Sequence, residues 1–181
     1  MQRISVVGAS GSGKTTVATR LAETLDLPRV ELDALHNQPG WTEMPAEELR
    51  EQVAELTAGS RWVVDGNYSS KLGDLVWRRA DTVVWLDLPR GAVMRQLVPR
   101  TLARAVTRRE LWNGNREPIT GLFRWDPHRS IVRWSWTTHP KVRERYATAM
   151  EDPAYRHVRF VRLRSRAEVR RWLSEVAASG R

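Results

Sequence analysis

Residues 8–15 read Gly8-Ala9-Ser10-Gly11-Ser12-Gly13-Lys14-Thr15, which fits the spacing G-x-x-x-x-G-K-[ST]. Glycine lets the backbone take positive φ and approach an anion closely. Successive backbone N–H groups then point inward as a nest, and a helix starting near Lys14 adds the positive end of its dipole. The Lys14 ammonium is placed to reach the outer phosphates of a polyphosphate, and the Thr15 hydroxyl to ligate a hard cation such as Mg²⁺. Thr16 either closes the cradle behind Thr15 or packs and caps. The chemistry this stretch offers is the holding of phosphates.

Three aspartates follow at the ends of apolar runs: Asp33, Asp65 and Asp87. Asp33 and Asp65 can serve a reacting site, or they can cap local N–H groups and form an Asp-Gly turn. Asp87 reads as structural. The segment after Asp33 carries His36, with an ordinary pKa near neutrality, and Trp41, which can stack on a ring or plug its own loop. Asn67 and Tyr68 follow Asp65 and face the same expected cleft.

These residues need elements to position them. β-rich runs at 3–7, 29–32, 62–64, 82–86 and 157–163 alternate with helical patterns at 14–25, 46–56, 72–79, 91–111 and 167–178. Pro99 is expected to kink the fourth helix or delay its start. Strands spaced by helices predict a three-layer α/β/α domain with a five-stranded parallel sheet, in one unit over residues 1–181. Residues 34–58 supply a loop and helix beside the cleft. The stretch 112–146 breaks the rhythm, with Trp112, Trp125, Trp134 and Trp136 among several arginines, and reads as an insert, loop then helix, before the last strand.

Several stretches carry a family resemblance. "LDALHNQPGW", "VVDGNYS", "ADTVVWLDLPR", "LWNGNRE" and "VRLRSRAEVRRWL" resemble the P-loop small-molecule and nucleoside-monophosphate kinases, most closely a bacterial adenylate-kinase-related group known as topology modulation proteins. The resemblance spans nearly the whole chain. It implies strand order 2-3-1-4-5, a lid in residues 100–146, ATP and Mg²⁺ as cofactors, and transfer of a phosphoryl group to a small acceptor. By position in similar kinases, Asp33 contacts the acceptor hydroxyl and Asp65 joins Thr15 at the metal. Lys14, Asp33, Arg100, Arg104 and Arg116 form the implied catalytic set, with the arginines drawn from a row that includes Arg95, Arg108 and Arg109. His36, Trp41, Asn67 and Tyr68 join Asp33 and Asp65 as the acceptor set. Arg78 and Arg79 either reach an acceptor phosphate or cover the surface, and Arg164-Ser165-Arg166 resembles the loop along the adenine.

Missing motifs narrow the class. Neither N-K-x-D nor D-x-x-G occurs, which argues against a guanine-specific switch. No apolar strand ends in Asp-Glu, so the residue pair that usually positions water for hydrolysis is not written here. Transfer to a bound acceptor is the better reading.

The chain of 181 residues carries a net charge of +9, and only Lys14, Lys71 and Lys141 among its 30 basic residues are lysines. A basic balance fits anionic partners, and nucleic acid is one of them. Heavy arginine, alanine and valine use is also what a GC-rich genome produces, so the total charge has two explanations. A nucleic-acid-associated protein and an ATP-binding regulator with weak ATPase activity are the alternatives to a kinase. With no cysteine and an opening Met1-Gln2-Arg3 that runs straight into strand-like sequence, a cytoplasmic protein without a membrane span is expected.

Overall fold

Five runs rich in valine, leucine and tryptophan pair into one parallel sheet. The computed structural model describes residues 1–108, 110–116 and 130–179. Arg109 and Trp125 lie outside them. The sheet strands are β1 (Arg3–Gly8), β2 (Arg29–Glu31), β5 (Trp62–Asp65), β6 (Thr82–Leu86) and β7 (Arg159–Leu163). They lie side by side as β2-β5-β1-β6-β7, all parallel. Counting only these five, the order is 2-3-1-4-5, as the resemblance implied.

Parallel neighbours need long crossovers, and helices supply them. Both faces of the sheet are therefore covered, which is why its strands read as nearly unbroken apolar runs. The period of two still shows in the packing. Ile4, Val6, Val63, Val84 and Leu86 face a core closed by α1 (Lys14–Leu25) and α8 (Arg166–Ser179). Val7, Val64, Val83 and Trp85 face the other core. That core is closed by α3 (Ala46–Leu56), α5 (Leu75–Arg79) and α7 (Ile131–Glu151).

Several boundaries differ from expectation. Strand β2 stops at Glu31, and Asp33 sits in the first turn of a short helix, α2 (Leu32–His36), where Leu32 turns into the core. Residues expected as loop form a hairpin, β3 (Asn37–Gln38) with β4 (Thr42–Glu43), closed by Gly40 and Trp41 at positive φ. The expected helix 72–79 is two, α4 (Ser69–Leu72) and α5, parted at Gly73 with φ 60°. Helix α6 (Arg90–Thr107) runs through Pro99 rather than starting after it, and ends in a left-handed Arg108 short of Leu111. Helix α7 likewise runs through Pro140. Among the described residues, no helix is long and apolar enough to cross a membrane.

Candidate active site

The loop from Gly8 to Gly13 joins the end of β1 to the start of α1, at the carboxyl edge of the sheet, where open α/β sheets bind ligands. Gly8 has φ 147°, and a Cβ there would lie 2.7 Å from the Leu86 carbonyl. Gly11 has φ 88°, and a Cβ would lie 2.8 Å from the Leu97 Cβ. Any side chain at either position would push the loop off β6 or α6. Within the loop the Ser12 hydroxyl is buried with no hydrogen-bond partner among the described residues. A buried polar atom left without a partner costs free energy, so a concave loop holding one suits a polar ligand.

Lys14 opens α1 and turns back over the loop, its Nζ donating to the Ala9 carbonyl at 3.2 Å. Burial pushes its pKa down, Asp65 and Asp33 hold it up, and Arg100 pushes it down again. One ammonium thus feels two carboxylates and a guanidinium from α2, β5 and α6. Asp65 is 3% exposed at the end of β5. Burial pushes its carboxyl up, while Lys14 and a hydrogen bond from the Thr15 hydroxyl hold it down. Arg29 approaches it at 4.0 Å.

Asp33 accepts from the Tyr68 hydroxyl at 2.8 Å. Burial, then the Asp33 charge, pushes that hydroxyl far above its ordinary value, so it remains a donor. Asn67, expected as an acceptor contact, is bonded to the phosphate loop. Its amide oxygen takes the Gly8 N–H at 3.1 Å, and its amide nitrogen donates to the Gly8 carbonyl. Tyr146 of α7 donates to the same oxygen at 2.8 Å. Asn67 thereby holds the first glycine of the loop.

His36 is buried. Its Nε2 lies 3.2 Å from the Lys71 ammonium, which also binds Glu43 at 2.7 Å. The Tyr68 ring packs edge-on against it at 4.8 Å.

Trp41 is 40% exposed and does not plug its loop. Its backbone N–H donates to the Asn115 side chain, and its indole donates to the Arg116 carbonyl. The turn 112–115 docks along the whole segment after β2. The Asn113 amide donates to the Ala34 and Asn37 carbonyls, the Asn115 amide to that of Gln38, and the Trp112 indole to Glu31. "WNGN" and "LDALHNQPGW" are two halves of one contact.

The other arginines divide. Arg100 is half-buried and near enough to Lys14 to shift it, and Arg104 is half-buried further along α6. Arg95, Arg108 and Arg116 are exposed. Arg79 donates to the Ala54 carbonyl and the Thr57 hydroxyl, and Arg78 pairs with Asp74. In the structure both thus have partners within the chain. Arg166 donates to Gln96 on α6. Asp87 is buried between Arg162 at 2.7 Å and Arg143 at 3.1 Å, the structural place expected of it.

Sequence reasoning missed α7 as a support. Ser135 donates to the Ser10 carbonyl at 2.7 Å, His139 meets the Leu88 carbonyl, and Tyr146 reaches Asn67. A helical run with arginines and tryptophans carried no local signal of these partners.

A family model described as an AAA domain matches residues 4–118, well over half of the chain. The chain belongs to this AAA-domain family. A protein of Thermococcus gammatolerans provisionally named adenylate kinase is 42% identical over 81 residues, covering 40% of this chain and 46% of the relative. The match thus spans about half the length of that relative. Solved structures share the fold of this AAA domain across their whole length. Deoxyadenosine kinase from M. mycoides superposes with TM-score 0.56 at 10% identity, covering 97% of each chain. A gluconokinase from Sinorhizobium meliloti 1021 gives 0.54 at 20%, covering 99% of this chain and 91% of the other. Shikimate kinase from Bacteroides thetaiotaomicron gives 0.53 at 15%, covering 98% and 97%. At such identities the likeness is one of fold: a P-loop domain built as small-molecule kinases are.

Proposed function

We propose that this AAA domain is an ATP-dependent phosphotransferase that moves the γ-phosphoryl group of Mg-ATP to a small-molecule acceptor. The observation that carries the reading is the convergence on Lys14 of Asp33, Asp65 and Arg100, three charges from three elements around one phosphate loop. A motif alone would give the loop, whereas this arrangement gives a loop with an acid and a cation set against it.

The roles follow from chemistry. Backbone N–H groups of residues 13–16, where the loop enters α1, and the Lys14 ammonium hold the phosphates. Thr15 and Asp65 present adjacent hard oxygens, a donor set that fits Mg²⁺, which is usually held by one or two carboxylates plus substrate phosphates. Bound there, the ion would neutralise charge on the phosphates. Asp33, oriented by Tyr68, takes the proton of the acceptor hydroxyl. The acceptor oxygen bonds to the γ-phosphorus as the bridge to the β-phosphate breaks, and that electron pair leaves on ADP. Arg100 stabilises the equatorial charge, and Arg104 and Arg116 join it from the lid side. Acceptors lie between residues 33–41 and 65–68, with nucleotides and nucleosides among the candidates. The work is cytoplasmic in this reading.

A screen of ATP consumption over nucleosides, nucleotides and small hydroxylated metabolites tests it. Stoichiometric ADP and a phosphorylated acceptor are expected. Steeply salt-dependent binding to DNA or RNA with no transfer to any small acceptor would overturn it in favour of a nucleic-acid role.

A further inference from the structure

His36 is 6% exposed in the last turn of α2, one turn beyond Asp33. Its Nε2 lies 3.2 Å from the Lys71 Nζ on α4. The same ammonium donates to the Glu43 carboxylate on β4 at 2.7 Å, and that carboxylate lies 3.5 Å from Nε2. Helix α2, helix α4 and the β3–β4 hairpin thus meet at one imidazole. The Tyr68 ring packs edge-on against it, centroids 4.8 Å apart, and the Tyr68 hydroxyl donates to Asp33. Lys71 and Tyr68 belong to one turn of chain, the Lys71 N–H donating to the Tyr68 carbonyl at 2.9 Å.

An ammonium has only donors, so Nε2 can face it at hydrogen-bond distance only by accepting. That assigns the ring by its chemistry: neutral, with its proton on Nδ1. Nδ1 is buried with no hydrogen-bond partner among the described residues. A second proton, on Nε2, would set an N–H against the Lys71 ammonium, two cations in contact. Glu43 lies within reach of both, so a protonated ring competes with Lys71 for it. The charges that act on the ring are Lys71 from α4, Glu43 from β4 and Asp33 from α2 itself. Burial and Lys71 push its pKa down, against Glu43 and Asp33. Tyr68 faces it as a neutral phenol.

We propose that His36 is a positioning residue for Asp33: as a neutral imidazole gripped by Lys71 it fixes the Tyr68 ring, and through Tyr68 the carboxylate, and on taking a proton it lets both go. The proposal rests on the kinase reading, in which Asp33 takes the acceptor's proton, and adds a pH control over that acid. Two arrangements follow from the contacts. With His36 neutral, the Tyr68 hydroxyl meets Asp33 at 2.8 Å. With His36 protonated, the imidazole and Lys71 part, and Lys71 carries the turn that holds Tyr68 with it.

The test uses the full chain, isotopically labelled at histidine nitrogens and aspartate carboxyls, in NMR spectra taken between about pH 5 and 8. Signals are assigned by their loss in His36→Gln and Asp33→Asn. At neutral pH the His36 signals are expected to show a proton on Nδ1 and none on Nε2. The Asp33 carboxyl signal should step as His36 takes its second proton, and the step should be missing in Tyr68→Phe, which cuts the link. In parallel, ADP release from Mg-ATP is followed over a panel of nucleosides, nucleotides and small hydroxylated metabolites. As pH drops through the His36 titration kcat should fall about tenfold, the worth of the Tyr68–Asp33 hydrogen bond, with KM for ATP unmoved. His36→Gln, whose amide oxygen can accept from Lys71 but takes no proton, should lose that acid limb. Lys71→Met should move the limb to higher pH and Glu43→Gln to lower pH, because the first charge opposes the proton and the second favours it. An Asp33 step that survives Tyr68→Phe, a proton on Nε2 at neutral pH, or an acid limb that stays in His36→Gln would overturn the positioning role and leave the kinase reading intact. Absence of transfer over the whole panel would overturn the kinase reading, and the role of His36 with it.

Discussion

The Tyr68 hydroxyl donates to the Asp33 carboxylate across 2.8 Å, tying the segment after β5 to the first turn of α2. One carboxylate oxygen is thereby held, and the group is oriented before any acceptor arrives. Preorganised acids and bases lose little to reorganisation during reaction, which makes this pair the point where geometry bears most directly on rate.

Removing the acid should separate binding from transfer. Asp33→Asn is expected to slow transfer by about two to four orders of magnitude, the usual worth of a positioned acid or base, while ATP still binds. Tyr68→Phe keeps the carboxylate and loses only its orientation, so a smaller loss, about tenfold, is expected, the worth of one hydrogen bond. Steady-state rates beside calorimetric ATP affinities check both. Full activity in Asp33→Asn would take that residue out of the mechanism.

Lys14 is the cation of the cradle, half-buried and bonded to the Ala9 carbonyl. Lys14→Ala should cost transfer at least about a hundredfold, as loss of a preorganised donor to developing charge does. ATP affinity measured on the folded variant should fall with it. Normal turnover would sink the phosphate-loop assignment.

Asp87 predicts stability instead of rate. It lies 5% exposed between Arg162 and Arg143, and the Arg162 guanidinium also sits 4.3 Å over the Trp85 ring. Asp87→Ala leaves Arg162 partly buried without its partner. A loss of about 3 kcal/mol is expected, the low end for a broken buried pair because Arg162 keeps some water. Urea unfolding midpoints measure it, and a change under about 0.5 kcal/mol, the size of an ordinary surface substitution, would contradict the assignment.

His36 predicts a pH dependence. Burial, then the Lys71 ammonium, pushes its pKa down, against weaker pulls from Glu43 and Asp33. The unfolded chain takes up this proton near an ordinary pKa of about 6.5, and the folded chain only at lower pH. Between those values the unfolded state binds more protons, so stability falls as pH falls through the window. Above it the imidazole is neutral in both states and adds no slope. His36→Gln should flatten the acid side of the profile when denaturant midpoints at about pH 5 are set against those at about pH 7.5. An unchanged slope would show that His36 protonates as readily folded as unfolded.

The phosphate loop, the alternation of strands and helices, and the boundaries of α1 and α3 were legible in the residues alone. Each is local: glycines a few positions apart set the turn, and apolar spacing sets the helix face that must be buried. The long helix over Pro99 was legible too, but not that it starts at Arg90: a proline after the first turn costs one hydrogen bond and a clash with the preceding turn, and tertiary packing of Val93, Leu97, Thr101 and Ala105 outweighs that. What the tertiary structure alone decided is which side chains meet. Asn67 clamps Gly8 from 59 positions away, Tyr146 buttresses Asn67 from 79, and Asn113 reaches Ala34 from 79. No periodicity encodes such pairs, because each depends on strand order and on the side of the sheet a helix covers. The sequence determined that phosphates can be held, and the fold decided which acid and which arginine stand beside them.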